Sequence, residues 1–356
     1  MQYILAINPG STSTKFSLYQ EEIMVFEKNL RHTSDQLSIY KKITDQFHFR
    51  RDLIMKELLE RHVDLDKIAV VVGRGGLIKP IESGVYKVNQ KMKDDLQAGF
   101  LGQHASNLGG LIADDIASSL PNAEAFIVDP VVVDELQDVA RISGHPSIER
   151  RSIFHALNQK AVARTYADSV NKRYEDLNLI IAHMGGGISV GAHKKGRVVD
   201  VNNALNGDGP FSPERSGSLP SGQLADLCFS GKYSHAEIKS MISGNGGMVA
   251  YLDTNSFIDV CKMAEEGNEK ARLISDAVSY QVGKEIGAMA AVLSGQVDAI
   301  ILTGGLAYEE PHIQRIKAMI SYIAKIIVYP GEDELKALAY NGLLVIREQV
   351  VIKTYT

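Results

Sequence analysis

Two short turns carry most of the polar chemistry in this chain. The first, Asn8-Pro9-Gly10-Ser11-Thr12-Ser13-Thr14-Lys15, offers an amide, four hydroxyls, a lysine and a glycine that lets a ligand approach the backbone. Hydroxyls and backbone N–H groups donate to phosphate oxygens, and lysine adds charge. The second, His183-Met184-Gly185-Gly186-Gly187, follows a histidine with three glycines, whose unshielded backbone donors suit an anionic ligand. Arg74 lies in Gly73-Arg74-Gly75-Gly76 at the end of an apolar run, and Asp129 ends another run before Pro130. Arg215 falls in residues 202–221, a stretch of Gly, Pro, Ser and Asn. A long irregular segment inside a compact protein is usually functional. A guanidinium can hold a carboxylate bidentately, which an ammonium does less well. Neither turn is a Walker A loop, and no G-x-G-x-x-G follows the first apolar run, so phosphate binding needs another architecture. Gly187-Ile188-Ser189-Val190-Gly191 does match G-x-S-x-G. Ser189 sits inside an alternating strand pattern, however, and not on a strand-to-helix elbow, so a serine hydrolase is not expected.

The elements around these turns repeat. Residues 3–7 form an apolar strand, 15–19 alternate after the first turn, and Met24-Val25-Phe26 begin a third strand. Residues 179–182, 188–192 and 198–201 repeat that meander around the second turn. Gly10 and Gly185 stand 175 positions apart, half the 356-residue length, which predicts two similar domains. Between the meanders the pattern is mixed α/β. Helices are expected over 47–61, 107–119, 152–173, 268–294 and about 332–347, and strands over 67–72, 125–128, 298–302 and 325–329.

Composition narrows the function. Length suggests two domains. Lys and Arg number 38 against 43 Asp and Glu, with no basic run, so nucleic acid is not an expected partner. The N-terminus lacks the basic region of a signal peptide, and no stretch approaches the roughly 18 apolar residues of a membrane span. A cytoplasmic protein with no membrane partner is expected. Cys228 and Cys261 cannot build a disulfide framework and read as small buried or half-buried residues.

The NPGSTSTK turn, the AHMGGGIS turn, Glu214-Arg215-Ser216-Gly217 and ILTGG at 301–305 together resemble the acetokinase family, in order from Tyr3 to about Ala339. The wider superfamily includes actin, Hsp70 and sugar kinases. The resemblance implies two duplicated actin-like ATPase (ribonuclease H-like) α/β domains with an interdomain cleft. One would comprise residues 1–160 with 333–356 packing back as a C-terminal helix, the other, nucleotide-binding, residues 161–332. It also implies ATP/ADP and Mg²⁺ as cofactors, a small carboxylate substrate, reversible formation of an acyl phosphate, and a homo-oligomer, dimer or larger. By the same resemblance Asn8, Ser11, Ser13 and Lys15 form a phosphate hairpin, and Gly185, Gly186 and Gly187 the second. Arg74 and Arg215 hold carboxylate and phosphoryl group, His183 lies in the active site, Asp129 is catalytic or Mg²⁺-associated, and His104 is near the transition state. Asp253, Thr254, Asn255, Gly304 and Gly305 meet the adenosine. Asn8 and one of Glu332, Asp333 and Glu334, with Glu334 favoured, meet the metal. Acetate kinases carry Asn where this chain has Gly186, and the loop with Asp208-Gly209-Pro210-Phe211 also differs, which favours the butyrate branch of the family. Acetate or propionate phosphorylation, a sugar kinase with Asp129 as base, and an Hsp70-like nucleotide-dependent binding module are the alternatives.

Overall fold

Short runs of Ile, Val, Leu and Ala form the strands of the computed structural model, which describes residues 2–99 and 101–356. Among these residues the strands are β1 (Tyr3–Pro9), β2 (Ser13–Gln20), β3 (Ile23–Arg31), β4 (Ile68–Arg74), β5 (Val85–Lys87) and β6 (Glu124–Val128), then β7 (Asn178–Met184), β8 (Ile188–Lys194), β9 (Arg197–Val201), β10 (Ala299–Gly304), β11 (Ile326–Pro330) and β12 (Ile352–Thr354). The chain divides into two units, Met1–Val133 with Asp333–Thr356, and Asp134–Glu332.

The first unit is built on a seven-stranded sheet ordered β12-β5-β6-β4-β1-β2-β3. β1, β2 and β3 form the antiparallel meander, while β4 lies parallel to β1 and β6 parallel to β4. Alternation along β1 sends its residues to two faces. Leu5 and Ile7 join Val71 and the buried residues of helices Phe47–Glu60 and Asn107–Ser118 in one core cluster. Ile4, Val70 and Val72 face the C-terminal helix Glu334–Ile346, where Gly342 lets the helix backbone come close to all three.

The second unit repeats the plan. Its five-stranded sheet is ordered β11-β10-β7-β8-β9, matching β6-β4-β1-β2-β3 strand for strand, with β10 parallel to β7 and β11 parallel to β10. Helix Ala156–Ser169 packs with Leu179, Ile181, Ala299 and Ile301 on one face. Helix Glu269–Val292 covers Ile180, Ala182, Ile300 and Leu302 on the other. Both units are therefore α/β sheets of one topology, as the repeat predicts. No helix among the described residues is long and apolar enough to cross a membrane.

Two expectations need correction. The boundary near residue 160 moves to 133/134, because helix Ala156–Ser169 packs on β7 and β10 and its Lys160 is buried against Glu135. Cys261 is buried, but Cys228 is exposed, because helix Ser221–Phe229 buries none of its residues.

The Lys160–Glu135 pair also yields a stability prediction. Lys160 Nζ donates to Glu135 Oε2 at 2.8 Å and to Gly196 O at 3.0 Å, while Val198 N donates to the same carboxylate oxygen at 2.8 Å. Lys160→Met strands a buried carboxylate, and the urea midpoint should fall by the equivalent of roughly 3–5 kcal/mol. An unchanged midpoint would refute this role for the pair.

Candidate active site

In the first unit β1, β4 and β6 run parallel in adjacent positions, so their carboxyl ends share one sheet edge. Open α/β sheets bind ligands at such edges. Asn8, near the end of β1, is opposite Lys15 across the hairpin. Asn8 Nδ2 donates to Glu334 Oε2 at 2.6 Å. Arg74, the last residue of β4, pairs with the same oxygen at 2.9 Å and donates to Asn8 Oδ1 at 3.3 Å. Glu334 opens the C-terminal helix and is buried. Its neighbour Asp333 caps that helix by accepting from Lys336 N, and Glu332 falls in the second unit. On the hairpin, Ser11 and Lys15 are exposed and Ser13 is half-buried.

The glycines around Arg74 have a packing cause. A Cβ on Gly73 would meet the backbone of Gly109 and Gly110, and one on Gly75 would meet Pro130. Gly73 lets helix Asn107–Ser118 close against the strand end that presents Arg74, and Gly75 lets Pro130 do so.

Asp129 is buried and holds a left-handed backbone, φ +37°, a conformation that costs a non-glycine residue energy. Its Oδ1 accepts from Ser83 Oγ at 2.6 Å and from Gly84 N at 2.8 Å. His104 Nδ1 meets Ser106 Oγ at 2.8 Å and accepts from Ser106 N at 3.2 Å. These contacts hold Asp129 and His104 to neighbouring loops.

In the second unit β7 and β10 are parallel, with Thr303 opposite His183. The Gly185–Gly187 turn and Gly304-Gly305 therefore leave the same sheet edge. Gly304 has φ +91°, a Cβ there would strike the Met184 backbone, and its amide and carbonyl bond Gly331 at 3.1 and 2.9 Å. Gly187 is required for a different reason: a Cβ there would occupy the place of the Arg215 guanidinium. Arg215 Nη1 donates to Ala204 O at 2.5 Å, and burial pulls its pKa below the usual arginine value. Ser212 Oγ donates to Gly186 O at 2.7 Å and pins the turn. Asp253 ends helix Gly247–Leu252 with φ +56°, and Thr254 Oγ1 accepts from Ser256 N at 3.1 Å. Asn255 Nδ2 donates to Glu214 Oε1 at 2.6 Å, which ties this segment to the loop carrying Arg215.

His183 is buried, and the sequence reading missed its partner. His155 stacks on it with ring centroids 3.8 Å apart and planes 12° from parallel. His183 Nδ1 lies 2.8 Å from Asn158 Oδ1 and so donates to it, while Nε2 is 3.4 Å from Glu332 Oε2, an ion pair when the ring is protonated. His155 Nδ1 lies 2.9 Å from Ser189 Oγ. Ser189 Oγ already accepts from Gln159 Nε2 at 2.9 Å and from His155 N at 3.4 Å. Its one hydrogen is then left for His155 Nδ1, which places that ring's proton on Nε2. Gln159 is oriented in turn: its Oε1 accepts from His193 Nε2 at 2.9 Å, and His193 Nδ1 accepts from Tyr174 O–H at 2.6 Å. His193 stays neutral because burial drives its pKa well down. The sequence signal for His155 was weak, a single histidine inside a stretch read as helix from 152, although the helix begins at Ala156. Ser189 lies inside β8 and is buried, so the G-x-S-x-G match forms no nucleophile elbow.

Known proteins give this geometry a context. A family model described as the acetokinase family matches residues 145–325, just over half the chain. The fold is similar to the crystal structure of acetate kinase from Porphyromonas gingivalis, with TM-score 0.81 at 18% identity over 97% of this chain and 100% of that one. A propionate kinase from Francisella tularensis subsp. tularensis SCHU S4 gives TM-score 0.78 at 18% identity over 96% and 99%. Acetate kinase from Entamoeba histolytica gives 0.76 at 16% identity over 95% and 98%. Likeness at this level of identity establishes the fold, the two-sheet actin-like ATPase fold that the resemblance implies.

The histidine pair makes a direct prediction. Side-chain ¹⁵N correlation spectra should show neutral His155 protonated at Nε2, and Ser189→Ala should release it to a mixture of both tautomers. A wild-type His155 protonated at Nδ1 would contradict the hydrogen-bond chain.

Proposed function

The chain belongs to the acetokinase family, and we propose that it transfers the terminal phosphoryl group of ATP to the carboxylate of a short-chain acid, giving an acyl phosphate and ADP. The observation that carries this reading is the Arg74 guanidinium at the end of β4, held by Glu334 and Asn8 and of the type that binds a carboxylate bidentately. A hydroxyl acceptor would need a general base. A carboxylate acceptor is already ionised at neutral pH and needs none. Phosphoryl transfer then depends on positioning and on neutralising charge on the equatorial oxygens.

The residues divide that work. Arg74 offers its guanidinium to the acceptor carboxylate, aimed by Glu334 and Asn8. Arg215, set against the second glycine turn, stabilises charge on the transferring group. His155 donates its Nε2 proton to a phosphoryl oxygen, and His183, whose Nδ1 proton is held by Asn158, does so through Nε2 when its ring is doubly protonated. Ser11, Ser13, Lys15 and the Gly185–Gly187 turn receive the phosphate chain, while Asp253, Thr254, Asn255, Gly304 and Gly305 receive the nucleoside.

No three His, Cys, Asp or Glu side chains form a metal-binding group among the described residues. Buried Glu334 beside Asn8 offers one carboxylate and one amide oxygen, a donor set that fits Mg²⁺, which takes one or two carboxylates and completes its shell with substrate phosphates and water. Glu334 and Asn8 would hold it, and when bound it neutralises charge on the phosphate oxygens. Glu334 makes both its protein contacts through Oε2, which leaves Oε1 as the oxygen for the metal.

The acid is butyrate or a branched four-carbon acid, a reading supported by Gly186 and by the loop containing Asp208-Gly209-Pro210-Phe211. Acetate and propionate are the alternatives. Burial of two further methylenes at about 0.8 kcal/mol each favours butyrate over acetate by roughly fifteenfold in kcat/KM.

Purified protein with ATP, Mg²⁺ and hydroxylamine, run against acetate, propionate, butyrate, isobutyrate and valerate, tests both levels. Acyl phosphate is trapped as a coloured hydroxamate, and the signal should peak with four-carbon acids. A peak with acetate overturns the substrate while keeping the transfer, and no signal with any acid overturns the transfer. Arg215→Lys should lower kcat by about a thousandfold while nucleotide affinity stays nearly intact. An unchanged kcat would remove Arg215 from the reaction.

A further inference from the structure

Arg50 is the largest fully buried side chain among the described residues, and its surroundings are unusual. It projects from helix Phe47–Glu60 to the inner side of the β1–β2 hairpin. Nη1 donates to Gly10 O at 2.8 Å, to Ser13 O at 2.7 Å and to Thr14 Oγ1 at 3.1 Å. Nη2 donates to Ser11 O at 3.1 Å, and Nη2 and Nε both donate to Gln46 Oε1, at 2.8 and 3.0 Å. Each acceptor is neutral. Among the described residues no carboxylate pairs with this guanidinium, and burial alone lowers its pKa, to about 10, so it is charged at neutral pH.

A buried cation without a counter-ion is costly unless an anion completes it. The hairpin geometry indicates where that anion belongs. In a trans peptide the N–H of one residue points opposite to the C=O of the residue before it. With the carbonyls of Gly10 and Ser11 drawn inward to Arg50, the amides of Ser11 and Thr12 point away from it, toward the exposed side of the turn. Thr14 is fixed by the same contact: its hydroxyl accepts from Arg50 and is hydrogen-bonded to His32 Nε2 at 2.8 Å. His32 is held neutral, its pKa lowered to about 4 by burial and by Arg50.

We propose that Arg50 is a positioning residue that shapes the Gly10–Ser13 turn into an anion cradle and supplies the buried charge that draws the nucleotide's terminal phosphate to it. This rests on the phosphoryl-transfer reading for the identity of the anion, but not for its charge. Lysine preserves the charge of Arg50 but cannot make the forked contact to three carbonyls.

The test uses the full chain. Arg50→Lys should raise KM for ATP at least about tenfold, the loss of one charged hydrogen bond, while KM for the acid moves less than about twofold. Added guanidinium ion should restore part of the ATP affinity of Arg50→Ala, a rescue that general loosening would not show. Folded Arg50 variants with wild-type KM for ATP would overturn the proposal. Should both Arg50 variants fail to fold, Gln46→Leu decides: a raised KM for ATP supports the proposal, and a wild-type value overturns it. The underlying reading fails separately. If wild-type protein turns over no acid, yet calorimetric titration shows weaker ATP binding to Arg50→Lys, the cradle stands and the transfer falls. Equal ATP binding by both proteins overturns the cradle.

Discussion

Parallel pairing of the first strand of each meander with a strand from beyond it, β1 with β4 and β7 with β10, is the constraint on which the rest depends. Antiparallel pairing alone would scatter the turns to both ends of a sheet. Parallel pairing needs a crossover helix, and it brings the carboxyl ends of neighbouring strands to one edge. Asn8, Arg74 and the first hairpin follow from this in the first unit, and His183, the triple-glycine turn and Gly304 in the second. The functional groups are far apart in sequence because they mark strand ends, not because they form a local motif.

Close backbone approach is the second requirement, and glycine supplies it where a strand end must meet something bulky. Gly73 and Gly109 let helix Asn107–Ser118 sit directly on the end of β4, and Gly187 gives the Arg215 guanidinium its place. Gly187 makes room for the guanidinium itself, whereas Gly73 and Gly109 make room for the helix that backs the strand end carrying Arg74. A glycine cluster beside an arginine therefore carries more information than either residue type alone.

Much of this was legible in the sequence because it rests on periodicity. The two meanders, their 175-residue spacing, the long helix Glu269–Val292 and the irregular stretch before Ser221 all follow from patterns of apolar residues and glycine. What stayed hidden depends on three-dimensional proximity. In the sequence Arg50 is one charge among several beside Arg51 and Asp52, and only the fold turns it inward. His155 sits 28 positions before its stacking partner His183, a spacing with no periodic meaning. The unit boundary was misplaced because helix Ala156–Ser169 follows the first half in sequence yet packs on the second sheet.

The two halves share a topology but support their turns differently, and the difference is chemical. Asn8 and His183 occupy equivalent positions, each near the end of the first strand of its meander. Behind the first turn stands a charged guanidinium whose partners are neutral carbonyls. Near the second stands a neutral chain, Tyr174 to His193 to Gln159 to Ser189 to His155, in which each hydrogen bond fixes the direction of the next. A buried charge attracts an anion but discriminates poorly among its orientations. A chain of neutral donors adds little net charge, but it decides which ring nitrogen carries a proton. Duplication supplied one scaffold twice, and the buried residues beside each turn made the first attractive to charge and the second selective for geometry.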